Sequence, residues 1–336
     1  MTRSRELAEL ASAYDSGNSL GFRNRIINGE MRIDQRNAGA SVTVNTGGAF
    51  YAVDRFRISA VASAGVFTGQ RVTDAPAEFN SSMKVTVTTA DASLAASDAY
   101  YCLQDIEGNN VADFKLGTAN AVTFTLSFWV KSSLTGTFGA SFSNNDATRS
   151  YPFSYTVNAA NTWEKKTVTV AGDTTGTWDT GTGRGLRVIF SLGVGSDFTG
   201  TANQWNGAFD LAPAGAVNVM ATNAATWQIT GVQLEAGSVA TPFERRDYGR
   251  ELQMCQRYYE AGNAKWYVPN SGATNMFATV SYKVNKRTYP VVAFNSTGIV
   301  GGYHAMTTVE TNYTDSFAGQ TPGDELNFGW TSSAEL

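Results

Sequence analysis

The sequence predicts a mainly β protein: an antiparallel jelly-roll β-sandwich with a short N-terminal helix, a connecting helix and a small C-terminal β domain. Three observations predict it. Charged residues make up only 16% of the chain, and Pro is scarce at 7, whereas ordinary globular proteins carry roughly a quarter charged residues. Alternating apolar and polar runs recur through residues 22–243 between clusters of Gly, Asn, Asp and Thr, which is the pattern of short strands joined by turns rather than of βαβ units. Hydrophobic residues at 42% and aromatic residues at 12% supply core material, which excludes a disordered chain. At 336 residues the length fits one large β domain with flanking elements, or two domains.

The elements follow in chain order. Over residues 4–14, Leu7, Leu10, Ala11 and Tyr14 fall at i, i+3, i+4 and i+7, one stripe of a short helix with Thr2 or Ser4 as cap. So short a helix must pack on something, its own β domain or neighbouring copies, to persist. Residues 15–19 (DSGNS) read as linker, closing an N-terminal segment at 1–21. The sandwich is expected over 22–243. Its clearest strand is 122–131, where Val122, Phe124, Leu126, Phe128 and Val130 alternate with Thr123, Thr125, Ser127, Trp129 and Lys131, one row for the core and one for water. Residues 186–192 send Leu186, Val188, Phe190 and Leu192 one way and Arg187, Ile189 and Ser191 the other. Further strands are expected at 83–88, 99–106, 153–157, 164–170 and 227–234.

The period changes at 244–262, the expected connecting helix. Leu252, Cys255, Gln256 and Tyr259 share a helical stripe, with Asp247 as N-cap and Gly262 as the residue that ends the helix. Residues 263–336 return to β character, with FATVSYKV and a turn at 295–298. A unit of that size buries a limited share of its surface and must lean on a neighbour.

Composition excludes several functions. The net charge is −4. Residues 1–71 hold nine bases and six acids, 72–236 eight and fourteen, and the rest eight and nine. No basic face fit for a phosphate backbone emerges, so no nucleic-acid partner is expected. Cys102 and Cys255 lie far apart without a CxxC spacing, so neither a disulfide framework nor a zinc site is expected. No apolar stretch reaches 18 residues and the N-terminus lacks a signal-peptide core, giving an expectation of a soluble chain made in a cytoplasm, without membrane insertion. The single histidine, His304, rules against histidine-dependent nucleophilic or metal catalysis. Glycan cleavage needs only two carboxylates, but the stacked short repeats of a β-helix are missing. No catalytic residue, metal ligand or cofactor is assigned. Acidic turns near Asp173, Asp179, Asp197 and Asp210 offer at most a structural calcium without EF-hand spacing. GTGRG at 181–185 lacks the Lys-Ser/Thr ending of a phosphate loop and reads as a turn.

Aromatic residues give the binding candidates, because sugar rings offer apolar faces to flat side chains while amides and carboxylates take their hydroxyls. Trp178 (GTWDTG) and Trp205 (NQWNG) sit in small, polar surroundings beside Asp179, Asn203 and Asn206. Two uses are open: platforms for a glycan, or covers for the ends of the sandwich. Trp129, opposite the core row, is open between a groove platform and a subunit contact.

Four strings in order, FRNRIINGEMRIDQRNAG, TLSFWVKSSLTGTFGASF, NTWEKKTVTVAGDTTGTW and WQITGVQLEAGSVATPFE, resemble jelly-roll modules of bacteriophage tail proteins, which look like carbohydrate-binding-module sandwiches. RRDYGRELQMCQRYYE resembles the helical linker that follows such modules, and VNKRTYPVV with the terminal AEL resembles their C-terminal β unit. The resemblance implies a non-enzymatic structural protein of the virion, assembled in the host bacterial cytoplasm, as a tail fibre or tail-associated appendage. It implies contact with other virion proteins and with bacterial surface polysaccharide. A head-attached fibre or capsid decoration, and a polysaccharide-degrading tailspike, are the alternatives. The stripes of Leu7, Leu10 and Tyr14 and of Leu252 and Tyr259 suit threefold packing, hence an expected homotrimer, with Arg3 and Arg5 in the anchoring segment.

Overall fold

The structure, a computed structural model, describes residues 22–48, 50–61, 64–267, 275–296, 307–318 and 325–336. The expected N-terminal helix with Arg3, Arg5, Leu7, Leu10 and Tyr14, the linker after it, and His304 lie outside the described residues. The chain divides into two compact units, one up to Arg245 and one from Arg246.

The first unit is built from strands β1 (Val42–Val44), β2 (Phe50–Val53), β3 (Phe56–Val61), β4 (Val66–Val72), β5 (Ser82–Thr89) and β6 (Ala99–Glu107). It continues with β7 (Phe124–Ser132), β8 (Gly136–Ser143), β9 (Ser150–Val157), β10 (Glu164–Val170) and β11 (Arg184–Val194). The short β12 (Thr199–Gly200) and β13 (Ala212–Pro213) pair in parallel, and β14 (Thr226–Ala236) is the last. Two six-stranded sheets result, ordered β1-β4-β5-β14-β7-β10 and β2-β3-β6-β11-β8-β9, with antiparallel pairing throughout. Successive strands alternate between sheets, β5 to β6 to β7 to β8 and β10 to β11, as a jelly roll requires. The expected mainly β sandwich is the observed fold, and β10 occupies the residues its alternation marks.

The alternation places the core. Phe124, Leu126, Phe128 and Val130 of β7 face Phe142, Phe153, Tyr155 and Phe190 of the other sheet, all buried. Phe128 meets Tyr155 and Phe190 edge-on at 5.1 Å between centroids, and Phe124 meets Phe142 likewise at 5.1 Å, the geometry the ring quadrupoles favour.

The outer faces depart from expectation. Thr125 and Ser127 of β7, expected in water, are buried. The chain after β14 folds back across them: Thr125 Oγ1 donates to the Gly237 carbonyl at 2.8 Å, and Gln233 Nε2 donates to Glu235 at 2.7 Å. On the second sheet, Ile189, Tyr101 and Leu103 of the outer face pack with Leu211, Phe198 and Phe209, so the 196–212 segment lays a small second core over it. Residues 22–29 run beside β14, with Arg25 N–H donating to Leu234 and Val232 N–H to Gly29.

In the second unit, helix α1 (Tyr248–Gln256) starts where expected: Asp247 accepts from Arg250 N–H at 2.9 Å. It ends earlier than expected. Tyr259 begins β15 (Tyr259–Tyr267), which pairs with β20 (Glu325–Ser333) from Tyr259↔Ser333 onward. Gly262 therefore ends no helix. It sits in β15 beneath Trp330, where an added Cβ would lie 2.7 Å from the indole, so pairing with a distant strand overrides the local helical period. Strand β17 (Val291–Ser296) adds to the other edge of β20. Asn295, expected to open a turn, belongs to β17, and 297–298 lie outside the described residues. β16 (Asn275–Ser281), β18 (Thr307–Thr308) and β19 (Asn312–Ala318) form a second small sheet. Buried Glu260 accepts from the Lys286 ammonium at 2.6 Å, and burial holds the Lys286 pKa below the usual lysine value. No helix among the described residues is long and apolar enough to cross a membrane.

Candidate functional site: an aromatic ledge at the edge of the sandwich

Three aromatic side chains meet beside the outermost strand of the second sheet. Tyr151 comes from β9, Trp178 from the loop between β10 and β11, and Trp205 from the loop between β12 and β13. The Tyr151 and Trp205 centroids are 5.2 Å apart at 61°, and those of Trp205 and Trp178 are 5.4 Å apart at 84°. All three pack against the core while remaining half-buried. The covering use of the tryptophans is seen directly: each packs on core on one side and meets solvent on the other.

Local hydrogen bonds hold the ledge rigid. Trp178 Nε1 donates to the Thr175 carbonyl at 3.0 Å and Trp205 Nε1 to the Ala171 carbonyl at 2.8 Å. Beneath the Trp178 loop, Arg149 grips buried Asp173 in two bonds of 2.6 and 3.0 Å, and Asp173 Oδ1 accepts from Thr175 N–H and hydroxyl, both at 3.0 Å. A two-pronged guanidinium-carboxylate pair of this kind fixes geometry as well as charge. The Trp205 loop is tied to β9 by reciprocal backbone bonds between Asn206 and Ser150 at 2.7 and 3.2 Å.

The remaining sequence candidates divide. Asn206 uses its amide within its own loop, donating to the Thr201 carbonyl at 3.0 Å and accepting from Gln204 at 3.1 Å. Asp179 adjoins Trp178 but organises the turn after it, accepting from Gly181 N–H at 2.6 Å. Asn203 is exposed, holds a left-handed φ of 60°, and its side-chain amide bonds to none of the described residues. Tyr151 was not singled out from sequence. Its hydroxyl bonds to none of the described residues, and burial raises its pKa, so it stays a neutral donor and acceptor. Leu252 lies half-buried on α1, and Tyr259 opens β15.

Among the described residues no group of three His, Cys, Asp or Glu side chains comes together. Asp173 is committed to Arg149, and Asp210 lies near the Ser150 hydroxyl, which donates to the Ala208 carbonyl at 2.7 Å. Both cysteines are buried and neither forms a disulfide, and burial raises the Cys102 thiol far above its ordinary value.

No family model and no curated protein matches the chain. Among solved structures, it is similar to the enzymatically active domain of tailspike protein 4 of bacteriophage CBA120 at 12% identity and a TM-score of 0.32, covering 63% of this chain and 21% of that one. It is also similar to a putative sugar binding protein from Bacteroides thetaiotaomicron (12% identity, TM-score 0.34, 64% and 100% covered). A family 11 carbohydrate-binding module from Clostridium thermocellum, in complex with a mixed-linked tetrasaccharide, gives 10% identity and a TM-score of 0.31, with 59% and 97% covered. At that distance neither an activity nor a ligand transfers to this chain.

Proposed function

We propose that this chain is a non-enzymatic structural component of a bacteriophage virion, a trimeric tail fibre or tail-associated appendage, whose sandwich contacts bacterial surface polysaccharide. The observation that carries the binding part is the ledge of Tyr151, Trp205 and Trp178. Two indoles at 84° cannot form one flat platform, but one can stack under a sugar ring while the other walls its edge. The free Tyr151 hydroxyl and Asn203 amide stand ready for sugar hydroxyls. Because the loops are tied down, little order has to be gained on binding. The virion part rests on the ordered sequence strings.

A glycan array probed with the full chain should return bacterial polysaccharides as ligands. Trp178→Ala and Trp205→Ala should each weaken the strongest hit about tenfold, the equivalent of ~1.4 kcal/mol; unchanged binding by both would remove the ledge from the reading. Light scattering at micromolar concentration should give three times the chain mass. A stable monomer would overturn the trimer.

A further inference from the structure

The outer face of the first sheet carries a second arrangement of aromatic and charged groups. The stretch 72–236 is acidic, with fourteen acids against eight bases, yet three of its five lysines share this one face. Lys84, Gln228 and Lys131 lie in register across β5, β14 and β7, and Lys165 stands opposite Trp129 across β10 and β7. Strand spacing puts Lys84 and Lys131 roughly 10 Å apart at Cα, the scale of a disaccharide. Among the described residues Lys84 and Lys165 make no ion pair, whereas Lys131 pairs with Asp74.

Asp74 acts as a bracket for this surface. Besides Lys131, it accepts from Trp163 Nε1 at 3.3 Å. Partial burial pushes its pKa up, but hydrogen bonds from Lys131, Trp163 and Gln228 outweigh that and hold it below the ordinary carboxylate value. The Lys131 ammonium lies 5.5 Å from the Trp163 ring centroid. Trp129, the next outward side chain along β7, packs on Gly231 and stays half-exposed, as does Trp163. Two half-exposed indoles therefore flank a fixed ammonium, with an unpaired lysine on either side.

We propose that this face is a second saccharide-binding surface, selective for anionic polysaccharide: Trp163 and Trp129 stack on sugar rings while Lys84 and Lys165 pair with carboxylates of acidic sugars. The proposal rests on the reading of the chain as polysaccharide-contacting, but on a face and on residues separate from the ledge. Two lysines spaced apart among half-exposed indoles suit a ligand whose charges are spaced and mixed with apolar faces, rather than a dense polyanion.

The test is titration calorimetry of the full chain with oligogalacturonate, oligoalginate and hyaluronan oligosaccharides, each beside its methyl-ester form, in which the carboxylate is uncharged. At least one free acid should bind about tenfold more tightly than its ester, and salt should weaken that binding. Lys84→Gln with Lys165→Gln, both at the surface, should abolish the preference for the acid, and Trp163→Ala should weaken acid and ester alike. Trp178→Ala and Trp205→Ala should leave the preference for acid over ester unchanged, so a failure of the ledge and a failure of this face read out separately. Binding by none of the three acids, equal binding of acids and esters, an unaltered preference in the double lysine variant, or equal affinity for duplex DNA would overturn the proposal.

Discussion

Glu164 shows how much one side chain can organise. Its carboxylate accepts from the N–H groups of Asn158 and Ala159 at 2.8 and 2.9 Å, from the Asn158 amide at 2.8 Å and from the Lys166 ammonium at 2.6 Å. Burial pushes its pKa up, but these donors outweigh it and pull the value from 4.5 to about 2. A carboxyl depressed on folding contributes stability that is fully present above its unfolded value and is lost as pH falls through the folded one. The turn between β9 and β10 should therefore loosen between pH ~4.5 and ~2. Hydrogen exchange of the 158–161 amides should report it. Glu164→Gln should lower stability at neutral pH by about 1 kcal/mol and flatten the exchange profile across that window; an unchanged profile would show that the turn is held by other contacts. These bonds could not be read from NTWEKK alone, because they depend on how the chain turns out of β9.

At the scale of elements, β14 depends on a break in its regularity. Its register against β7 shifts between Thr230 and Gln233, and Gly231 occupies the left-handed region at φ 59°. An added Cβ there would lie 2.6 Å from Phe79 Cζ and 3.0 Å from Trp129 Cδ1. Gly231→Ala should cost about 1–3 kcal/mol and lower Tm, while Gly207→Ala, with open space around it, should be nearly neutral. Equal effects of the two changes would refute the crowding argument. The bulge re-aims the strand so that Val232 and Leu234 rejoin the core and Gln233 and Glu235 turn outward. A strict two-residue period cannot signal such a shift, which is why the strand was legible in WQITGVQLEAG while its bulge was not. The early end of α1 has the same origin: the helical stripe continues into Tyr259 in the sequence, but the backbone there is claimed by β20.

For the sandwich as a whole, closure depends on its first described residues. Asn24 is buried; its Oδ1 accepts from Ile26 and Leu234 N–H at 2.9 and 3.0 Å, and its Nδ2 donates to the Val232 carbonyl at 3.0 Å. Beside it, Ile27 exchanges two bonds of 2.8 Å with the Gln104 side chain of the opposite sheet. The entering chain thus ties β14 to β6. Asn24→Ala orphans two donors and an acceptor, so denaturant unfolding should reveal a loss of roughly 2–4 kcal/mol; a loss under 1 kcal/mol would mean that water replaces the amide.

Sequence by itself determined the β class, the places of seven strands (β5, β6, β7, β9, β10, β11 and β14) and the core rows of β7 and β11, because burial of one sheet face imposes an alternation that survives in the order of residues. It also marked Trp178 and Trp205 as residues to watch. Only the tertiary structure decided that those two indoles and Tyr151 share a ledge, that Thr125 and Ser127 leave water, and that Trp163 stands beside Lys131. Each of those outcomes depends on where a loop or a partner strand from far along the chain comes to rest, and local periodicity carries no record of that.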